Sequence, residues 1–281
     1  MFMGRTVVGI TGGRGMLGRD LRAELEGAGF EALVFDLPER DITRSADVAD
    51  IVSASDVVVN CAAYTAVDQA ESEPDICRAV NADAPGRIGD AAAAAGKRVI
   101  HISTDFVFGD DGTAPLSEGA APNPLSVYGA TKLAGENALF ASGADCAVMR
   151  VQWTYGLHGA NFVTKIAELA ERLSSLKVVD DQVGSPTPTA SVARAVLCLI
   201  RNEVSGLFHF AARGYASRFE VAQVILDELG LETPISPCSS AEFPAPAERP
   251  RNSRFDCSKI DAVLDFERLE WRSALVDFLR G

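Results

Sequence analysis

The sequence predicts an α/β protein built on a doubly wound parallel sheet, with a smaller and discontinuous C-terminal lobe. Three observations support this fold class. Short β-branched segments alternate with longer helical segments over the first 150 residues, a glycine cluster separates the first strand from the first helix, and the alternation loosens after Val151. Apolar strands that are separated by helices are typical of a parallel sheet covered on both faces.

In the first half of the chain, predicted strands and helices follow one another in regular order. The alanine run at 91–95 continues a helix, because alanine has the highest helix propensity. The predicted strands are 6–11, 32–35, 57–60, 98–103 and 146–151, and the predicted helices are 16–28, 47–53, 74–95 and 127–141.

The second half keeps this alternation less regularly. It contains predicted helices at 162–173 and 191–200 and predicted strands at 177–180 and 206–210. Five prolines between 234 and 250 predict a surface loop, because proline cannot join a central strand or a helix interior. We expect 1–152 and about 176–210 to form a dinucleotide-binding sheet domain, and about 153–175 and 211–281 to form a substrate lobe.

The composition excludes several classes of protein. The 281 residues carry 26 Lys and Arg against 39 Asp and Glu, a net charge of −13, and 47% are hydrophobic. This apolar fraction excludes intrinsic disorder, and the acidic balance argues against nucleic acid or an anionic membrane as a partner. The N-terminus lacks the pattern of a secretory leader, and no apolar run approaches the ~18 residues of a membrane span, so we expect a cytoplasmic protein.

The six cysteines are scattered along the chain, without a C-x-x-C pair, and there are only three histidines. This distribution argues against a structural zinc site and against a disulfide framework. Most of the cysteines lie in apolar segments, which predicts buried and unreactive thiols in a reducing compartment. The sequence indicates no metal site, and it leaves a Mg²⁺ ion and a homodimer open.

The glycine cluster after the first predicted strand is a candidate binding site. Gly12, Gly15 and Gly18 are spaced G-x-x-G-x-x-G and open the first helix. A strand, a glycine turn and a helix N-terminus present backbone N–H groups and the positive end of the helix dipole to a pyrophosphate. Asp36 ends the next strand about 20 residues further on, where a carboxylate would bind an adenosine ribose. The combination predicts a Rossmann-type dinucleotide site.

Two charges near this site favour different dinucleotides. Asp36 would repel a 2′-phosphate and so favours NADH, whereas Arg14, inside the glycine loop, could bind that phosphate and so favours NADPH. A solvated Arg14 is an equally good interpretation. Both cofactors therefore stay open.

A second group of polar residues has the pattern of a proton donor. Tyr128 and Lys132 are four residues apart on a predicted helix, so both side chains lie on one face, and the ammonium can lower the phenol pKa. Ser103 and Thr104 end the fourth predicted strand, at the edge of the sheet where α/β proteins bind ligands. Because adjacent strand residues face opposite sides, we expect only one of these two hydroxyls to enter the site.

Several segments together carry a resemblance to a known family. They are NCAAYTAVD from Asn60, ESEP from Glu71, STDFVF from Ser103, VYGATKLAGE from Val127, DQVGSPT from Asp181 and RPRNSR from Arg249. On these segments the chain resembles the extended short-chain dehydrogenase/reductase family, and within it the enzymes that reduce a dTDP-linked 4-keto-6-deoxy sugar. The resemblance extends over nearly the whole length.

This resemblance implies NAD(P)H-dependent reduction of the C4 keto group of dTDP-4-dehydro-L-rhamnose to dTDP-L-rhamnose, a step of nucleotide-sugar and polysaccharide biosynthesis. It implies that Thr104, Tyr128 and Lys132 are catalytic, with Tyr128 as proton donor and Lys132 also contacting the nicotinamide ribose. Further expected cofactor contacts are Met16, Leu17, Asp41, Ile42, Ala63, Tyr64, Thr65 and Ile102, and further expected substrate contacts are Val67, Asp105, Phe106 and Trp153.

The nucleotide diphosphate requires local cations in so acidic a protein. Arg249, Arg251 and Arg254 follow the proline-rich stretch, where they could close over the cleft and bind phosphate. A solvated role, or a salt bridge between the two lobes, is an equally good interpretation. Asp181 and Gln182 are candidates for a second wall of the substrate cleft.

Alternative functions differ in the residues that they require. The family usually has tyrosine at the position of Phe106, so one contact to a substrate hydroxyl is lost here. A dehydratase would need an acid at the same position, and an epimerase would need an added acid/base pair, for which only His158 offers itself. A non-catalytic subunit resembling the β subunit of methionine adenosyltransferase stays open, although Thr104, Tyr128 and Lys132 favour an enzyme.

Overall fold

The computed structural model of the protein describes residues 5–109 and 112–281. The first four residues of the N-terminal segment considered above lie outside these ranges. Within them the strands are β1 (Val7–Thr11), β2 (Glu31–Phe35), β3 (Val57–Asn60), β4 (Arg98–Thr104), β5 (Asp145–Val151), β6 (Thr154–Tyr155), β7 (Leu176–Val179), β8 (Val183–Gly184), β9 (Thr187–Pro188), β10 (Gly206–Phe210), β11 (Ala216–Ser217) and β12 (Ile235–Cys238).

The α-helices fill most of the intervals between these strands. In the same ranges they are α1 (Met16–Gly27), α2 (Ser45–Ser53), α3 (Val67–Ala70), α4 (Pro74–Arg78), α5 (Ala84–Ala95), α6 (Val127–Ala141), α7 (Phe162–Arg172), α8 (Thr189–Arg201), α9 (Arg218–Leu229), α10 (Ser258–Asp261) and α11 (Trp271–Arg280).

The central feature is a six-stranded sheet in the order β10-β5-β4-β3-β1-β2. Each neighbouring pair of strands is parallel. The strand order reverses at β1, which has β2 on one side and β3 on the other. In sheets of this kind the ligand crevice lies outside the carboxyl ends of the strands at such a reversal. The predicted doubly wound α/β fold is confirmed.

Both faces of the sheet are covered, as the apolar strands predicted. On one face, α1 and α8 bury side chains such as Leu21 and Val196 against Val8 and Ile10. On the other face, α2, α5 and α6 pack against the alternate strand residues, including Val58. Because the side chains of a strand point to opposite faces in turn, each strand contributes to two separate cores.

The C-terminal lobe has a hydrophobic core of its own, formed by α7, α9, α11 and β7. We predicted 176–210 as part of the sheet domain, and α8 and β10 do pack there. Strand β7 instead pairs with β12 and buries Leu176 and Val178 in the core of the lobe. This strand therefore does not pack with the dinucleotide-binding domain in which we placed it, because a short apolar run does not specify its pairing partner.

The long helix predicted at 74–95 contains an irregular turn. It runs as α4, a π-helical turn at Ala79–Asp83, and α5. Asn81 in this turn accepts a hydrogen bond from the backbone N–H of Tyr64 (2.8 Å) and donates one to its carbonyl (3.0 Å). A Cβ at Gly135 would lie 2.1 Å from the Asn81 carbonyl oxygen, so this glycine lets α6 pack directly against the turn. The turn therefore fixes the loop that follows β3.

Several C-terminal elements were not predicted from the sequence. They include α9, α11 and β12, which lies in the proline-rich stretch and contains Pro237. Proline is tolerated there because β12 pairs with β7 alone among the strands of 5–109 and 112–281, so its other edge is unpaired. Among the residues that the structure describes, no helix is both long and apolar enough to cross a membrane.

Candidate active site

Two adjoining cavities lie at the carboxyl ends of the sheet strands. The larger, of about 710 Å³, is lined by the glycine loop, the start of α1, the ends of β3 and β4, and α6. The smaller, of about 350 Å³, lies between α7, β7 and the segment 243–250. The residues that line both cavities are Asp105, Phe106, Trp153 and Arg218.

The glycine loop has the geometry of a pyrophosphate cradle. Gly12 has a φ of +65°, in the left-handed region that favours glycine. A Cβ at Gly18 would lie 2.5 Å from the Gly12 carbonyl oxygen, so only glycine allows this close packing. Helix α1 begins at Met16, and Gly15 at its N-cap has no side chain to occupy the helix N-terminus. The predicted residues Gly12, Gly15, Met16, Leu17 and Gly18 all line the larger cavity.

Asp36 and Arg14 are both held at the rim of this cradle. The Asp36 carboxylate lines the cavity and accepts hydrogen bonds from the backbone N–H groups of Arg14 (2.8 Å) and Leu37 (2.8 Å). The Arg14 guanidinium donates to the Leu37 carbonyl (2.6 Å) and pairs with Glu39 (2.8 Å). Glu39 raises the pKa of Arg14, so Arg14 is a cation that lies beside the Asp36 carboxylate.

Four predicted cofactor residues lie outside the lining of both cavities: Arg14, whose contacts are given above, and Asp41, Ile42 and Tyr64. The Asp41 carboxylate accepts hydrogen bonds from the backbone N–H (2.9 Å) and hydroxyl (2.7 Å) of Thr43. Ile42 is buried in the core beneath α2. The Tyr64 hydroxyl donates to Glu73 (2.6 Å), which places it away from the cradle. The other expected contacts in this part of the cleft, Ala63, Thr65, Val67 and Ile102, do line the larger cavity.

The three predicted catalytic residues all line the larger cavity. Thr104 ends β4, and its hydroxyl donates to Asp105 (3.2 Å) and accepts from the backbone N–H of Phe106 (3.2 Å). Tyr128 and Lys132 lie in the first turns of α6, whose N-cap is Ser126. The Lys132 ammonium donates to the Ile102 carbonyl (2.7 Å).

Close backbone packing positions Tyr128 beside the end of β4. A Cβ at Gly129 would lie 2.1 Å from the Phe106 carbonyl oxygen, so this glycine lets α6 approach the turn that follows Thr104. The rings of Phe106 and Tyr128 meet edge to face, with centroids 5.3 Å apart. The phenol is therefore held next to the Thr104 hydroxyl.

Burial controls the protonation of this group. We expected Lys132 to lower the pKa of Tyr128, but burial raises it, and a hydrogen bond with Thr104 opposes that rise only in part. Burial also lowers the pKa of Lys132 to about 8. Both effects favour the neutral forms. At neutral pH Tyr128 therefore carries the proton that an acid catalyst needs, and Lys132 is still mostly charged.

The side chains of Ser103 and Thr104 make contacts on different sides of β4, as expected for adjacent residues of a strand. The Ser103 hydroxyl donates to Glu136, which is paired with Arg150 through contacts of 2.6 and 2.9 Å. Both charged side chains are only 2% exposed, and His209 lies 3.4 Å from Arg150. Ser103 touches the cavity, but its hydroxyl is committed to this buried network. The Thr104 hydroxyl lies in the cavity beside Tyr128, where a ligand could replace its longer bond to Asp105.

Arg218 was not predicted from the sequence and lies where the two cavities meet. Its guanidinium carbon is 3.6 Å from the ring centre of Trp153 and 4.8 Å from that of Phe162. Burial lowers its pKa to about 9, and Asp105 opposes that shift. The capping box of Ser217 and Glu220 could have indicated that a helix begins at Arg218, but not that this helix end faces the cleft.

Trp153 and Asp105 complete the junction. Trp153 has a φ of +48°, a strained conformation for a bulky residue that is often found at functional sites. A Cβ at Gly184 would lie 2.8 Å from the Trp153 ring, so β8 packs closely over this side chain. The Asp105 carboxylate accepts a hydrogen bond from Ser253 (2.6 Å), and its burial raises its pKa.

Cations of the lobe surround the smaller cavity. Lys165 and Lys177 line it, as does Arg249, which donates to Asp68 (2.8 Å) and to the Ala247 carbonyl (2.6 Å). Asp68 belongs to α3 of the sheet domain, so Arg249 makes the salt bridge between lobes that was one of its three interpretations. Gln182 also lines the cavity. In 5–109 and 112–281 no three His, Cys, Asp or Glu side chains are grouped so that they could hold a metal ion.

Comparison with known proteins places these features in a family. The model described as the RmlD substrate binding domain matches residues 6–281. The dTDP-4-dehydrorhamnose reductases of Mycobacterium tuberculosis and Mycolicibacterium smegmatis are 41% and 40% identical to the chain, over 96% and 95% of it and 91% and 83% of their own lengths.

Solved structures agree with this match. A dTDP-4-dehydrorhamnose reductase from Clostridium acetobutylicum has a TM-score of 0.94 at 36% identity, covering 98% of this chain and 99% of that one. The reductase from Bacillus anthracis, in complex with NADP, has a TM-score of 0.94 at 33% identity and covers 99% of both chains. Because the family match spans almost the whole chain, and relatives above 30% identity align at nearly full coverage, the chain belongs to the RmlD substrate binding domain family.

Proposed function

We propose that this protein reduces the C4 keto group of dTDP-4-dehydro-L-rhamnose to give dTDP-L-rhamnose, with NADPH or NADH as reductant. The observation that carries the proposal is the meeting of Thr104, Tyr128 and Lys132 with a glycine cradle in one cavity. The family relationship supports it, because relatives that align along almost the whole chain bear the name of this reaction. The step belongs to nucleotide-sugar biosynthesis.

The residues of the larger cavity suit a nicotinamide dinucleotide. Gly12, Gly15 and the N-terminus of α1 would hold its pyrophosphate, and Asp36 its adenosine ribose. Lys132 would contact the nicotinamide ribose at the other end of the cavity. When bound, the cofactor supplies a hydride to the carbonyl carbon.

The side chains of the protein complete the reaction with a proton. Negative charge develops on the keto oxygen as its carbon is reduced, and hydrogen bonds from Tyr128 and Thr104 stabilise that charge. Tyr128 then transfers its proton to the oxygen, which completes the alcohol. The positive charge of Lys132 stabilises the tyrosinate that is left. Burial raises the pKa of Tyr128, so the phenol is protonated when the substrate binds.

The smaller cavity suits the nucleotide diphosphate part of the substrate. Arg218 lies between the two cavities, so a phosphate bound there would leave the sugar next to Tyr128. Arginine binds phosphate through a planar pair of N–H donors, and the two aromatic rings hold this guanidinium in place. Asp105, Phe106 and Trp153 would contact the sugar. The lobe around this cavity is thus the proposed substrate lobe.

Location and assembly are further parts of the proposal. All six cysteines lie in the described ranges as free thiols, and five of them are buried. Free thiols suit a reducing compartment, so we infer a cytoplasmic enzyme. Assembly as a homodimer stays a prediction, which light scattering of the purified protein would test.

The reaction is tested with dTDP-4-dehydro-L-rhamnose generated enzymatically, by following the absorbance of NADPH and NADH. We expect turnover by the wild type and a loss of at least about 100-fold in Tyr128→Phe, the lower end of what a positioned proton donor contributes. Tyr215→Phe is the matched control, because the Tyr215 hydroxyl bonds the Phe255 carbonyl (2.9 Å) outside both cavities.

Two results would contradict the proposal. One is full activity in Tyr128→Phe, which would show that Tyr128 is not the proton donor. The other is absence of turnover in the wild type together with co-purification of a stoichiometric partner enzyme, which would favour the regulatory-subunit alternative.

A further inference from the structure

A chain of buried polar side chains crosses the sheet and ends at Lys132. The Thr11 hydroxyl on β1 donates to the Asn60 side-chain oxygen on β3 (2.6 Å). The Asn60 side-chain nitrogen lies 3.0 Å from Nδ1 of His101 on β4. Nε2 of the same ring lies 3.3 Å from Nζ of Lys132 on α6. Thr11, Asn60, His101 and Lys132 are all at most 2% exposed, so bulk water has little access to them.

The first part of the chain determines which ring nitrogen of His101 carries a proton. An amide nitrogen only donates hydrogen bonds, so Nδ1 of His101 accepts from Asn60. Burial and the nearby Lys132 hold the pKa of His101 well below its usual value, which makes the ring neutral. A neutral imidazole whose Nδ1 accepts has its proton on Nε2. The N–H of His101 therefore points at Lys132.

The second part of the chain favours one form of Lys132. An ammonium has three N–H donors and no lone pair, whereas an unprotonated amine has a lone pair that can accept. Nζ already donates to the Ile102 carbonyl. We propose that His101 is a positioning residue of the reduction: its Nε2–H faces Nζ of Lys132, donates to that group when it is unprotonated, and so favours the unprotonated form.

Other groups around Lys132 act on the same equilibrium. Glu136 on α6, Cys61 after β3 and Cys77 on α4 favour the ammonium, and burial disfavours it. Glu136 is, however, held by Arg150 and by Ser103. Tyr128 shares the cavity as a neutral phenol. Unlike these neighbouring side chains, His101 opposes the protonation of Lys132 through its N–H.

The inference rests on the proposed function in one respect. If Lys132 stabilises the tyrosinate, its charge must be present during proton transfer, and the rate of reduction falls when Lys132 loses its proton near pH 8. His101 then sets the upper end of the working pH range. The position of the ring proton does not depend on the reaction, so it can be tested separately.

The ¹⁵N NMR spectrum of the histidine rings in the wild-type protein tests the proton position. His209 is an internal control, because its Nδ1 lies 3.0 Å from the Leu116 carbonyl oxygen and Nε2 faces Arg150, which requires the opposite tautomer. We expect His101 to be neutral with its proton on Nε2, and His209 to carry its proton on Nδ1. A His101 ring that is protonated on Nδ1, or on both nitrogens, would overturn the inference whether or not the protein reduces the sugar.

The pH dependence of kcat gives a second, functional test, with His101→Leu compared with His209→Leu. Leucine removes the N–H donor and fills its place with an apolar side chain. Any added desolvation of Lys132 would lower its pKa, which is opposite to the rise expected from loss of the donor. We expect the alkaline decline of kcat to move up by about half a pH unit in His101→Leu, a roughly threefold change in the Lys132 equilibrium. His209→Leu should leave the decline in place. A decline that stays, or moves down, in His101→Leu overturns the inference.

Discussion

Replacing Arg218 tests the proposed substrate site most directly. The Arg218 guanidinium is packed against Trp153 at 3.6 Å and Phe162 at 4.8 Å, so little side-chain freedom is lost when a phosphate binds. Hydrogen bonds to a charged group contribute about 1.5 to 3 kcal/mol. At 1.4 kcal/mol for each factor of ten, Arg218→Ala should raise KM for the nucleotide sugar by roughly 10- to 150-fold. Arg218→Lys keeps the charge but loses the planar fork, so an intermediate increase is expected.

The assay for Arg218 combines steady-state kinetics with calorimetry of dTDP binding. Because dTDP shares the diphosphate but lacks the sugar, its affinity should fall by about the same factor as KM rises. Arg213→Ala is the control, since Arg213 lies in the same lobe and makes an exposed pair with Glu270 (3.3 Å). The reasoning is refuted if Arg218→Ala leaves the dTDP affinity unchanged, because the guanidinium would then not contact phosphate.

Three further predictions concern the cradle and the buried core. Gly18→Ala would place a Cβ 2.5 Å from the Gly12 carbonyl oxygen, and should weaken binding of either dinucleotide in a fluorescence titration. Glu136→Gln leaves Arg150 buried without its counter-charge, and should lower the free energy of unfolding by about 3 to 5 kcal/mol in denaturant titrations. Arg14→Ala removes the cation beside Asp36, and should raise KM for NADPH more than KM for NADH in the reduction assay.

Each of these predictions has a matched control or a contradicting result. A Cβ at Gly27 would meet no atom within 4 Å, so Gly27→Ala should bind cofactor normally, and equal effects at Gly18 and Gly27 would count against the cradle. Glu26→Gln breaks the exposed pair with Arg22 and should cost less than about 0.5 kcal/mol. An equal loss in the two glutamate variants would disprove the buried pair. An unchanged ratio of KM for NADPH to KM for NADH in Arg14→Ala would mean that Arg14 does not select the cofactor.

Local patterns in the sequence predicted much of the fold. The alternation of apolar segments located all six strands of the large sheet, and three of the features in the cleft followed from short-range spacing: the glycine loop, Asp36 at the end of β2, and Tyr128 with Lys132 on α6. These features are encoded locally, because a helix period, a glycine turn and a strand end each depend on neighbouring residues. The family resemblance added the roles that spacing alone left open.

The parts that the sequence did not predict depend on contacts between distant segments. Strand β7 was placed with the dinucleotide-binding domain because its partner, β12, lies about 60 residues further on and contains a proline. The burial that raises the pKa of Tyr128 outweighs the effect expected from Lys132. Asp41, Ile42 and Tyr64 lie near the predicted site in sequence, yet their side chains are bound or buried elsewhere.

By itself, the sequence determined the α/β class, the glycine cradle and the pair of Tyr128 and Lys132, because each depends on residues within a few positions of one another. Only the tertiary structure decided that Arg218 lies where the two cavities meet, and that His101 connects Lys132 to Thr11. The physical reason is that burial and hydrogen bonding between separate strands and helices set the charge of a side chain, and these are properties of the packed molecule.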